Sequence, residues 1–237
     1  MEHARSFGAA ADVYDRARPD YPDGALAWVT EGIRGPVLDV GAGTGKLTAA
    51  LVQRGLTVSA VDPSEQMLKI LAARLPTVQV SVGTAERISA PDSSYDLVTF
   101  AQAWHWVDPD LASAEVARVL KPGGRLALLW NDRDESVEWV RELGRIMGAG
   151  DEDPDPVVRP PLGTLDRFRM RWEQELTVEG LLELARSRSY FIVKPPHVQE
   201  AVIADLRRLC AEHPDLRDDP IIRLPYITRC YRASIPG

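Results

Sequence analysis

A chain of 237 residues with 45% apolar side chains can bury a sizeable core and suits one globular domain with an elaboration, here expected as a single domain over 1–237. The formal net charge is −7, and the arginines of the 159–188 stretch are interleaved with Asp166, Glu173, Glu175, Glu179 and Glu183, which argues against a nucleic-acid partner. The Met-Glu-His-Ala-Arg start has no apolar leader and no run nears the roughly 18 apolar residues of a membrane span, so a cytoplasmic protein with no membrane partner is expected.

In chain order, Phe7, Ala10, Ala11 and Tyr14 recur at helical spacing and give the first segment, 1–30, an apolar stripe. Val37 to Val40 then reads as a buried strand that stops at glycines. Gly45 to Arg54 places Leu47, Ala50 and Leu51 on one helical face, and Leu56 to Val61 reads as a second strand, completing one βαβ unit. Ser64 is a candidate N-cap for a helix carrying Met67, Leu68 and Leu71 inward, and Val78 to Val82 alternates as a third strand should. Tyr95 to Ala101 is the fourth strand, Asp108 to Leu120 a helix halted by Lys121-Pro122-Gly123-Gly124, and Arg125 to Trp130 the fifth strand. This alternation predicts an α/β fold, a doubly wound and mostly parallel sheet, with its core over 36–131.

Glu138 to Met147 reads as a helix and Asp151 to Gly163, rich in proline and acid, as a loop. Arg171 to Val178 is a candidate sixth strand, and Thr177 to Ser187 and Val198 to Glu212 are helical. Ile221 to Ala233 is a final strand whose Pro225 argues for an edge or a bulge. The stretch 132–196 is where a rigid scaffold accepts a substrate-recognition insertion, and 197–237 is left as a C-terminal helix and strand. Cys210 and Cys230 are too few for a disulfide framework and lack zinc-site spacing, so no metal is expected.

Glycines directly after the first strand let a ligand approach the backbone closely. Dinucleotide enzymes place G-x-G-x-x-G there to hold a pyrophosphate, whereas Asp39-Val40-Gly41-Ala42-Gly43-Thr44-Gly45 has the spacing D-x-G-x-G-x-G. S-adenosylmethionine has no phosphate but carries an ammonium, a carboxylate and a sulfonium, so an acid such as Asp39 beside the loop makes electrostatic sense. Asp62 ends the second strand, where a carboxylate can accept from both hydroxyls of a ribose, a feature that NAD satisfies equally.

With DVGAGTG, VDPSEQML, VGTAERI, YDLVTFAQAWHW and RVLKPGGRLALLW in this order over Val37 to Trp130, the chain resembles the class I S-adenosylmethionine-dependent methyltransferases, whose sheet has seven strands in a Rossmann-like arrangement. The opening FGAAADVYDRARPDYP, the AQAWHWVD run and RSRSY are similar to the small-molecule branch containing the trans-aconitate methyltransferases. The resemblance implies that S-adenosylmethionine is the cofactor and a small molecule the methyl acceptor. It implies cofactor contacts from Gly41, Ala42 and Gly43 of the loop and from Asp62 on the ribose. Pro63 and Met67 would cover adenine, Thr84, Ala85 and Glu86 line its edge, and Ala101, Gln102 and Ala103 lie near the methionine part. The first segment would be a lid that brings Tyr14 and Arg18 to the methionine end, Arg18 pairing with its carboxylate.

Methyl transfer asks chiefly for alignment, because the sulfonium is already an excellent leaving group. His105, after the fourth strand, is the candidate general base for a hydroxyl or amine acceptor, and a plain packing residue is the alternative. Trp104 and Trp106 are candidates for the acceptor pocket, as is Tyr190 with Arg186 and Arg188. The competing function is a protein that binds S-adenosylmethionine but runs a non-methylating reaction such as a cyclisation.

Overall fold

The computed structural model describes residues 18–148 and 155–236, apart from the side chains of residues 189 and 190. After helix α1 (Asp23–Val29) come β1 (Val37–Val40), α2 (Lys46–Gln53), β2 (Val58–Asp62), α3 (Glu65–Arg74), β3 (Gln79–Val82) and β4 (Tyr95–Ala101). A 3₁₀ turn over Trp104–Trp106 leads to α4 (Pro109–Val119), β5 (Leu120–Arg133) and α5 (Glu138–Met147). The rest is β6 (Asp166–Leu176), α6 (Val178–Arg186), the short α7 (Ser189–Ile192), α8 (Pro196–Glu212) and β7 (Ile222–Ser234). No helix among the described residues is long and apolar enough to cross a membrane.

The strands form a seven-stranded sheet in the order β3-β2-β1-β4-β5-β7-β6, and β1 pairs in parallel with β2 and β4, as does β2 with β3 and β4 with β5. Reversal of strand order beside β1 makes the sheet doubly wound and opens a ligand crevice at the carboxyl ends of β1 and β4. All four β1 residues are buried, as a strand covered on both faces requires.

The described residues fall into two compact units. Of the described residues, the larger draws on 20–131, 155–170 and 228–236, the smaller on 18–19, 132–148 and 171–227. In the larger, one face of the sheet packs Leu38, Val98, Phe100 and Leu128 with Val116, while the other packs Val37, Leu97 and Leu129 with Leu26, Leu47 and Leu51. In the smaller, Leu143 and Met147 of α5, Leu181 and Leu184 of α6, Leu206 of α8 and Tyr226 of β7 share one core.

Three readings change. Pro225 does not mark an edge, because β7 lies between β5 and β6; its ring gives up only the N–H, and its carbonyl still accepts from the Asp134 amide at 2.9 Å. Strand β5 starts at Leu120, so Lys121 to Gly124 bulge out of it where its register on β4 shifts between Tyr95 and Leu97. In α3 the Ser64 hydroxyl does cap, accepting from the Met67 amide at 3.3 Å, but only Leu68 and Leu71 are buried and Met67 is half-exposed.

Candidate functional site

The glycine loop is held by its own amides. Gly41 and Ala42 both donate to the Val61 carbonyl, at 2.8 and 3.1 Å, and Gly45 donates to Ala42 at 2.9 Å. The Gly43 amide donates to Asp62 Oδ2 and the Ser64 amide to Oδ1, both at 2.8 Å, so the Asp62 carboxylate is fixed across the crevice. Each of its oxygens has a second lone pair to offer a ligand hydroxyl. Gly41 has φ +69° and a Cβ there would come within 2.6 Å of the Ala103 Cβ, so only glycine lets the loop pass.

Beside this loop lies a cavity of about 350 Å³. Asp62, Pro63, Thr84, Ala85 and Glu86 line it from the β2 and β3 side, with Gly41, Gln102, Ala103 and Trp106 opposite. Val40, Gly83, Phe100 and Val107 complete the lining, four residues that the motif reading missed because three are ordinary apolar residues and Gly83 precedes the motif's polar part. Gln102 has φ 55°, an uncommon left-handed conformation outside glycine; its amide donates to the Leu129 carbonyl at 2.9 Å and its Nε2 to the Asn131 carbonyl at 3.1 Å. Burial pushes the Glu86 carboxyl up, but bonds from the Asp108 amide and the Thr84 hydroxyl outweigh it and hold the group below the usual carboxylate range.

Asp39 stands elsewhere. Its side chain is 1% exposed, with Oδ2 accepting from the Thr48 hydroxyl at 2.6 Å and Oδ1 from the Thr99 hydroxyl at 3.0 Å, so it ties β1 to α2 and β4 beneath the loop. Burial raises its pKa to about 6 against the opposing effect of the two hydroxyls. Ala42, Gly43, Met67 and Ala101 are not part of the cavity lining either, although Gly43 orients Asp62.

The Trp104-His105-Trp106 turn separates its three rings. Trp104 is buried, sets its edge on Phe100 at 4.9 Å and donates to the Val157 carbonyl at 3.0 Å, which makes it a core residue rather than a pocket wall. Trp106 is 81% exposed at the cavity rim. His105 is exposed and its Nδ1 accepts from the Trp130 indole at 3.2 Å. An indole N–H only donates, so the neutral imidazole carries its proton on Nε2 and the Nδ1 lone pair that a base would use is engaged.

The remaining candidates belong to the smaller unit or lie outside the described residues. Tyr14, with the lid stripe of Phe7, Ala10 and Ala11, lies outside them, and so does the Tyr190 side chain, though its backbone forms part of α7. Arg186 is exposed and bonded to Glu179 at 2.8 Å, whereas Arg188 is half-buried, so the arginine pair divides; Arg18 is half-buried too.

Residues 38–128 match the family model described as a methyltransferase domain. An uncharacterized methyltransferase of Mycobacterium tuberculosis is 50% identical over 232 residues, covering 97% of this chain and 96% of that protein. The chain belongs to the class I S-adenosylmethionine-dependent methyltransferases. A methyltransferase-like protein of Schizosaccharomyces pombe is 33% identical over 97% of this chain and 95% of its own length. A solved structure described as a type II methyltransferase of Anaeromyxobacter dehalogenans shares the fold, with TM-score 0.69, 24% identity and coverage of 93% of this chain and 99% of that one.

The site of this methyltransferase fits the family's cofactor, S-adenosylmethionine, on its own geometry. Amides of Gly41, Ala42, Gly43 and Gly45 all donate within the chain, so they are not available to cradle a pyrophosphate. What the loop does present is an anchored carboxylate beside a cavity with apolar walls, within the range of roughly 300–1,000 Å³ usual for small-molecule sites. That combination suits a ribose without a phosphate.

Proposed function

We propose that the enzyme methylates a small-molecule nucleophile by direct in-line displacement, with the cofactor seated in the Asp62 cavity. The observation that carries this reading is the pairing of an inward-bonded glycine loop with a fixed Asp62 carboxylate. When bound, the cofactor supplies a methyl group already activated by the sulfonium, and the protein supplies position and exclusion of water. Asp62 accepts from the ribose hydroxyls; Pro63, Ala85 and Glu86 flank the adenine; Gln102 and Ala103, at the end of β4, face the methionine part. Trp106, the exposed aromatic at the rim, shapes the acceptor side. His105 stands next to Trp106 at the cavity rim, with its Nδ1 accepting from the Trp130 indole.

A small acceptor accords with the net charge of −7 and the absence of a basic face in the sequence. The test is to incubate the enzyme with methyl-labelled S-adenosylmethionine and a metabolite extract, then to separate small molecules from protein and nucleic acid. Label is expected in the low-mass fraction. Label confined to macromolecules would overturn the acceptor class, and a new product formed without label would overturn methylation in favour of a reaction such as a cyclisation.

A further inference from the structure

The end of β4 is held in a conformation that it does not favour. Gln102 lines the cavity with φ 55°, in the left-handed region where the Cβ of any residue but glycine crowds the neighbouring carbonyl. Two ties to β5 keep it there, its amide to the Leu129 carbonyl at 2.9 Å and its Nε2 to the Asn131 carbonyl at 3.1 Å. The next residue, Ala103, sits against the glycine loop, since a Cβ at Gly41 would come within 2.6 Å of its own Cβ. A shift of this turn is therefore felt at the loop whose Gly43 amide fixes Asp62.

Asn131 anchors the far end of that tie. Its neighbours in β5, Ala127 to Trp130, are all apolar, so a buried amide here departs from the pattern of the strand and has to be satisfied by specific partners. Its Oδ1 accepts from the Thr228 hydroxyl on β7 at 2.6 Å, and its Nδ2 donates to the Asp20 carbonyl at 3.0 Å. Exchanging the oxygen and nitrogen would set two acceptors against each other at Asp20, so the side chain has one orientation. The Asp20 carboxylate in turn pairs with Lys46 at 3.0 Å, the first residue of α2 after the glycine loop. One buried amide thus joins β7, the segment before α1 and the turn after β4.

We propose that Asn131 is a positioning residue for the cofactor: its carbonyl, anchored by Thr228 and Asp20, keeps Gln102 left-handed and so sets Gln102, Ala103 and the glycine loop for the ligand. Asn131 is not part of the cavity lining, so its effect passes through Gln102. The role rests on the cofactor being seated in the Asp62 cavity.

Calorimetric titration of the full chain with S-adenosylhomocysteine, run beside amide exchange of the unliganded protein, tests it. Asn131→Ala is expected to bind roughly 5-fold or more weaker and to speed exchange of the Gln102 amide while leaving the middle of β5 unchanged. Gln102→Gly takes the left-handed turn without strain, so adding Asn131→Ala to it should lose little further affinity. Thr228→Val removes one of the bonds to Asn131 at nearly constant volume and is expected to act in the same direction, which keeps the test open if Asn131→Ala fails to fold. Asp62→Ala separates the role from the cofactor's seat. Weakened binding in Asp62→Ala with unchanged affinity in Asn131→Ala and Thr228→Val would overturn the positioning role, as would losses that simply add when Asn131→Ala and Gln102→Gly are combined. Unchanged affinity in Asp62→Ala would overturn the seat, and the role with it.

Discussion

Asp39 and Asp62 lie on neighbouring parallel strands, and their partners give them opposite tasks. Asp62 reaches the cavity with lone pairs to spare, so Asp62→Ala is expected to weaken S-adenosylhomocysteine binding by about 1.5–3 kcal/mol, measured by calorimetry on a variant shown to be folded. Unchanged affinity would remove Asp62 from the ribose. Asp39 is enclosed by Thr48 and Thr99, and its folded pKa of about 6 lies above the unfolded value of 3.8. Between those values the native state holds a proton that the unfolded chain has lost, so this residue makes the protein lose stability as pH rises from about 4 to 6. Denaturant melts of the parent and Asp39→Asn across that range should show the parent losing ground by an amount on the order of 3 kcal/mol, and parallel pH curves would contradict the burial argument. The D-x-G-x-G-x-G spacing showed where the loop is, but not this division of labour. Asp39 read as a cofactor acid because the pairing of its carboxylate with Thr48 and with Thr99, sixty residues away, is decided only by the fold. For His105 the sequence offered a base or a packing residue, and the bond from the Trp130 indole to its Nδ1 shows that this nitrogen is engaged. His105→Asn is accordingly expected to lower turnover about 10-fold, whereas a loss of 10²- to 10⁴-fold with unchanged cofactor affinity would reinstate the base.

Among the elements, α4 has a second use beyond covering the sheet. Its Arg118 donates to the Ile88 and Ala90 carbonyls at 2.9 and 2.8 Å, and its Glu115 accepts from the Ile88 amide at 2.7 Å, so one helix pins the segment that follows Glu86 of the cavity wall. Bonds to Glu115 and Asp92 raise the Arg118 pKa, and the bond from Arg118 lowers that of Glu115. Arg118→Met is expected to cost roughly 1–2 kcal/mol of stability and to speed amide exchange at Ile88 and Ala90; exchange unchanged there would mean that the segment holds itself. The alternation of apolar runs and helical faces made β1 to β5 and α2 to α5 legible to within a few residues, because each is decided by local burial. Placement of β7 was not legible. A proline in a strand argues for an edge by itself, and what overrides it is pairing on both sides with strands distant in sequence.

On the scale of the whole molecule, the sequence suggested one domain with an insertion, and the described residues pack around distinct apolar cores in two compact units. Composition cannot reveal that division, because β5, β6 and β7 run from one unit into the other and no linker of low apolar content separates them. The cavity beside the glycine loop is lined by residues of the larger unit, the part that the motifs had already marked. The most direct measurement is therefore a calorimetric titration of the intact chain with S-adenosylhomocysteine and, separately, with NADH. Saturable binding of S-adenosylhomocysteine and none of NADH is the outcome predicted by a loop whose amides are spent within the chain. Binding of NADH without S-adenosylhomocysteine would contradict it.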